Sequence, residues 1–255
     1  MKAGARKYLP TMAGIALLAL ATPAFAADIA HECRTPSPIL DLGASLPHAL
    51  AQLLGGLPLK IVALGSSSTA GAGASDAAHS YPSQLADALQ RRFPKSRVTV
   101  ANKGVNGEQT ADMLARLDRD VFAERPDLVI WQSGSNEILA KSNPAKFRRQ
   151  MLDGLERLKS AGIEVVLMDA QYAPRILENP DYGAFNETLR EIARAGHIAM
   201  FDRFEVMRSW LVSDKEDPAI FVGKDRLHMT DTGYRCVGQL LARAIATQPS
   251  AVAVR

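Results

Sequence analysis

The sequence predicts a single three-layer α/β/α domain built on a five-stranded parallel sheet. Three observations lead there. Five short, near-continuous apolar runs rich in β-branched residues recur along the chain, as expected of strands covered on both faces. Segments between them switch to helical spacing, and no internal repeat or low-complexity linker breaks the pattern. About 229 residues remain after an N-terminal leader, enough to bury one sizeable core.

The leader comes first. Lys2, Arg6 and Lys7 precede an apolar run from Met12 to Ala21 that is too short to span a bilayer, and Ala24-Phe25-Ala26 follows as a small-x-small cleavage site. Residues 1–26 therefore read as a secretory signal peptide cut after Ala26, which predicts a periplasmic or secreted protein. Its removal takes three of the 30 basic side chains and none of the 27 acidic ones, leaving a balanced chain. Charge then gives no support for a nucleic-acid partner or a membrane surface. No later segment approaches the ~20 apolar residues of a membrane span.

Residues 27–57 form a less regular N-terminal arm, with a short helix expected near 47–54. Residues 58–248 are the main domain, and 249–255 a tail. Cys33 and Cys236 both survive cleavage, and in an oxidising compartment they predict a disulfide between the arm and the last helix.

Within the main domain the strands are expected at residues 59–64, 97–101, 127–131, 164–168 and 197–201. Tyr81, Leu85, Leu89 and Phe93 fall at i, i+4, i+8 and i+12 of a helix. Phe147, Met151, Leu155 and Leu158 mark a second, and Val237, Leu240, Leu241, Ala244 and Ile245 a third. Pro94, Pro126 and Pro144 sit between elements, where a residue without an N–H does least harm. In open α/β sheets ligands bind beyond the carboxyl ends of the strands.

Chemistry-bearing residues collect at those ends. Gly65-Ser66-Ser67-Ser68-Thr69 follows the first strand and offers a hydroxyl near a helix N-terminus. Asn102-Lys103-Gly104-Val105-Asn106-Gly107 follows the second, where a glycine N–H could meet an oxyanion. Gly134-Ser135-Asn136-Glu137 follows the third, with a side-chain amide that serves equally as oxyanion donor or helix N-cap. Late in the chain, Asp225 and His228 stand three apart, spaced for a carboxylate to orient an imidazole base. Nucleophile, base, orienting carboxylate and oxyanion donors are the parts of serine acyl transfer. His79, near the serine loop, is the alternative base. No Cys/His cluster or HExxH suggests a metal, and neither a P-loop nor GxGxxG suggests a nucleotide, so no cofactor is expected. The absence of GxSxG argues against an α/β-hydrolase.

These four blocks, in this order, resemble those of the SGNH hydrolases, also called the GDSL lipase/esterase family, over about residues 59–246. The resemblance implies a flavodoxin-like sheet with strand order 2-1-3-4-5. It implies Ser67 as nucleophile, two residues after Gly65 and four before Gly71. It further implies an oxyanion hole from the Ser67 and Gly107 N–H groups and the Asn136 amide, and an Asp225/His228 pair. Ser66 and Glu137 depart from the family pattern, which has Asp at both places; neither position performs the acyl chemistry.

The activity expected is hydrolysis of short-chain acyl esters through an acyl-enzyme, on a small-molecule, carbohydrate or lipid ester, with O-acetylated carbohydrate one candidate. O-acetyl transfer by the same triad, lysophospholipase or thioesterase activity, and a non-catalytic carbohydrate-binding role are the alternatives. Gln171, Tyr172, Arg175 and Phe221 are the expected substrate contacts.

Overall fold

The computed structural model describes residues 30–247. The expected signal peptide with its cleavage site, and the expected 249–255 tail, lie outside the described residues. Five parallel strands form one sheet in the order β2-β1-β3-β4-β5: β1 (Leu59–Gly65), β2 (Val98–Gly104), β3 (Leu128–Gln132), β4 (Glu164–Met168) and β5 (Ala199–Phe201). β3 lies at the centre between β1 and β4, and every one of its residues is buried. Here apolar runs become strands because helices cover them on both sides.

The long helices form two contacting pairs. Tyr81–Arg92 packs on Asp231–Ala246, and Pro144–Ser160 on Tyr182–Gly196. In the first, Tyr81, Leu85 and Leu89 are fully buried, as their four-residue spacing requires. Pro144 lies not between elements but at the first turn of its helix, where a missing N–H costs nothing; the Asn143 side chain caps that turn by accepting from the Lys146 N–H at 3.0 Å.

One helix is added to the sequence reading and one expectation is corrected on the far side of the sheet. The helix Tyr182–Gly196 is absent from the sequence reading, although its buried Phe185, Leu189, Ile192 and Ala193 fall at i, i+4, i+7 and i+8. His197, expected to open the last strand, instead ends this helix in the left-handed conformation with φ 50°. β5 is therefore shortened to three residues.

The arm is part of the core. Leu40, Leu42, Leu46 and Leu53 join the central cluster, and the expected helix forms as Pro47–Gly55. The Leu42 carbonyl accepts from the Met200 N–H at 2.9 Å, which occupies a backbone donor on the edge strand. Cys33 is bonded to Cys236 across 203 residues of sequence, and Glu32 pairs with Arg235 at 2.7 Å. Among the described residues no helix is long and apolar enough to cross a membrane.

Candidate active site

The three serines after β1 differ in what they face. Ser66 and Ser68 are buried, and both hydroxyls donate to the Gln132 Oε1, at 3.0 and 3.1 Å. Ser67 alone keeps access to solvent. It opens the one-turn helix Ser67–Ala70, so its N–H has no intrahelical acceptor. Gly65 is needed for space rather than for an unusual dihedral: a Cβ there would lie 2.1 Å from the Thr69 Oγ1 and 2.9 Å from the Gln132 Oε1.

Across 161 residues of sequence, the Ser67 Oγ meets the His228 Nε2 at 2.9 Å. The other ring nitrogen lies 2.5 Å from the Asp225 Oδ2. The second oxygen of that carboxylate accepts from the N–H groups of Leu227 and His228, both at 3.0 Å. Partial burial pushes the Asp225 carboxyl upward, but these two N–H donors and the imidazole outweigh it and hold it below its ordinary value. The side chain is thus ionised at neutral pH and fixes the ring, leaving Nε2 for the hydroxyl. His79 takes no part: its Nδ1 binds Asp76 at 2.9 Å and Ser75 at 3.1 Å.

The expected oxyanion donors are tied to the same rim. Asn136, in the second position of the helix Ser135–Leu139, donates one Nδ2 hydrogen to the Glu108 carbonyl at 2.7 Å. Its other amide hydrogen has no protein acceptor among the described residues. Gly107, one residue before that carbonyl, is exposed at φ 81°, a conformation that suits glycine, and its N–H has no protein acceptor among the described residues. Arg116 braces this loop from beneath. Its guanidinium donates to the Glu108 carboxylate at 2.7 Å, to Asp120 at 2.9 Å and to the Gly65 carbonyl at 3.1 Å. β2 runs further than expected, so Asn102 lies inside the strand, and its Nδ2 donates to the Thr69 carbonyl at 2.8 Å.

The two departures from the family pattern have local partners. The Ser66 N–H and hydroxyl both reach the Gln132 Oε1. Buried Glu137 accepts from the Thr110 N–H at 2.5 Å and hydroxyl at 2.7 Å, and from the Gly134 N–H at 3.1 Å. It joins the third block to the chain just after the second.

The expected substrate contacts divide. Phe221 is fully buried and stacked on Trp210 with centroids 4.7 Å apart, so it presents no surface to a ligand. Gln171 is 1% exposed, and both ends of its amide are engaged inside the protein. Tyr172 is half-buried against Phe204, and Arg175 is exposed, its N–H bonded to the Arg226 carbonyl at 3.1 Å. Sequence reading missed Gln132, Arg116 and Arg203, none of which belongs to a motif. Their one signal is a polar side chain at the buried carboxyl end of a strand or the start of a helix.

Residues 32–250 match the non-GDSL lipase-like family. The chain belongs to that family. It is an SGNH hydrolase, with Gly65-Ser66-Ser67 where the alternative family name has Gly-Asp-Ser. It is similar to an arylesterase from Vibrio mimicus, 33% identical over 95 residues, or 37% of this chain and 46% of that one. The chain spans less than half the length of the curated relatives it matches. Among solved structures, a lipase/acylhydrolase from Enterococcus faecalis superposes with a TM-score of 0.62 at 27% identity, covering 74% of this chain and 95% of the other. An acetylxylan esterase from Geobacillus stearothermophilus shares the fold, with a TM-score of 0.62 at 19% identity over 73% and 94% of the two chains. The five-stranded sheet of this SGNH hydrolase, in the order 2-1-3-4-5, is the fold of these neighbours.

Proposed function

We propose that this SGNH hydrolase is an exported serine esterase that cleaves short-chain acyl esters through an acyl-enzyme, with O-acetylated carbohydrate as its substrate class. The observation that carries the reading is the unbroken relay from the Ser67 Oγ through the His228 ring to the Asp225 carboxylate, at 2.9 and 2.5 Å.

In this mechanism His228 Nε2 takes the Ser67 proton as the hydroxyl oxygen attacks the ester carbonyl. The tetrahedral oxyanion receives hydrogen bonds from the N–H groups of Ser67 and Gly107 and from the Asn136 amide. Collapse breaks the bond to the alcohol, which leaves with the proton from His228. Water then gives a proton to the same ring nitrogen, attacks the acyl-enzyme and releases the acid, restoring Ser67. Tyr172 and Arg175 are assigned as substrate contacts, because they keep solvent access beside the acid–base loop. Small residues after Ser67 leave the approach shallow, which suits an acetyl group on a bulky alcohol. The acetylxylan esterase among the neighbours supports the carbohydrate class, and the Cys33–Cys236 bond supports export.

Ser67→Ala is expected to abolish p-nitrophenyl acetate hydrolysis and labelling by a fluorophosphonate. Retention of more than a few per cent of wild-type turnover would overturn the assignment.

A further inference from the structure

Beneath the relay lies a buried polar network that no step of the acyl transfer uses. Arg203 opens the helix Arg203–Arg208 and is fully buried. Its Nη1 donates to the Ser68 hydroxyl at 2.9 Å, and its Nη2 to the Asp169 carbonyl at 2.6 Å and the Gln171 Oε1 at 3.0 Å. The same Gln171 oxygen accepts from the Ser135 hydroxyl at 2.9 Å. At its other end, the Gln171 Nε2 donates to the Leu227 carbonyl at 3.2 Å.

Three of the segments this network touches carry a working group one residue away. Leu227 precedes His228, Ser135 precedes Asn136, and Ser68 follows Ser67. We propose that Gln171, clamped by Arg203, is a positioning residue that sets the register of the His228 loop against both the nucleophile turn and the oxyanion amide. The proposal rests on the serine-esterase reading above.

An amide is the side chain this place requires. One end accepts from two donors while the other donates to a carbonyl, and neither a carboxylate nor an aliphatic chain does both. All the participating residues are at most 5% exposed, so water does not replace a lost bond. Leu227 is the point of leverage. Its carbonyl is the only one in the Asp225-Arg226-Leu227-His228 turn held by a side chain of another segment among the described residues, the Arg226 and His228 carbonyls being held by the backbone N–H groups of Arg175 and Gly223. Misplacing an attacking group by about 1 Å costs on the order of 10²-fold in rate.

Gln171→Glu isolates the role. The substituted carboxylate keeps both acceptor contacts and faces the Arg203 guanidinium, but no longer donates to the Leu227 carbonyl. Expected is a roughly 10- to 100-fold fall in kcat on p-nitrophenyl acetate, with KM within about twofold and a comparable slowing of fluorophosphonate labelling at Ser67. Thermal unfolding should stay within a few degrees of wild type, since the ion pair replaces the lost bond. Gln171→Met, which removes both ends, should lose at least as much kcat and should also lower the melting temperature. Wild-type kcat and labelling rate in folded Gln171→Glu would reduce the network to scaffolding and overturn the proposal, leaving the esterase reading intact. A fall confined to melting temperature, with kcat unchanged, would overturn it equally. Failure of the wild type itself to label at Ser67 removes the esterase reading and this proposal with it.

Discussion

At the scale of single residues, the arrangement turns on which polar atoms are already satisfied. Three consecutive serines have the same chemistry, yet two spend their hydroxyls on Gln132 and one is left beside an imidazole. Asn136 shows the same logic within one side chain, with one hydrogen anchoring the amide to the Glu108 carbonyl and the other unspent. Asn136→Ala is therefore expected to lower kcat by about 10²–10³ while leaving KM nearly unchanged, the signature of a contact made only in the transition state. A rise in KM at constant kcat would instead mark Asn136 as a ground-state contact. The residues of the relay itself were legible because acyl transfer restricts the side chains that can perform it and the blocks keep a fixed order. Gln132, Arg116 and Arg203 were not, because a supporting side chain is chosen by the shape of its surroundings, and Gln171, read as a substrate contact, is enclosed among such side chains. Phe221 misled for a related reason: an aromatic ring near a site in sequence packs inward whenever another ring, here Trp210, is available to receive it.

At the scale of elements, each functional segment is fastened to its neighbour by a bond from outside itself. Arg116 is the clearest instance, linking the carboxyl end of β1 to the loop bearing Gly107 and Glu108 and to the short helix Leu117–Asp120. Its counter-ion Asp120 also receives two hydrogen bonds from Arg119, and these, with the Arg116 contact, hold the Asp120 carboxyl far below the usual carboxylate range against the upward push of burial. A depressed carboxyl stabilises the fold fully above its unfolded value of about 3.9, and that stability is lost as pH falls through the folded value. Asp120→Asn should thus unfold at lower temperature at pH 7, and its melting temperature should fall less steeply than that of the wild type between pH 4 and pH 2. Parallel curves in low salt would show that the carboxylate contributes nothing. Among the elements themselves, the strands with long apolar runs were readable to within a few residues. β5 was not, because a helix ending in a left-handed His197 takes the residues that its apolar pattern had claimed.

At the scale of the whole molecule, the sheet order brings segments 161 residues apart into one hydrogen bond, and the arm closes the opposite edge. The three-layer α/β/α class followed from strand–helix alternation, and the strand order from the family resemblance. The arm's place in the core did not, because scattered leucines without a period give no direction until a surface exists for them to meet. The disulfide is the long-range fastening of this assembly. Reduction, or a Cys33→Ser/Cys236→Ser double substitution, is expected to destabilise by about 2–5 kcal/mol, most of it through the freedom restored to the unfolded chain. A melting temperature unchanged by reductant, with both thiols shown to be free, would contradict this.

That same covalent link spans nearly every site at which the chain might be severed. The largely exposed stretch 212–219 lies between the serine and its base, and a protease clipping there would liberate no fragment. The two pieces, one bearing the hydroxyl and the other the imidazole, would migrate together until sulfur let them go.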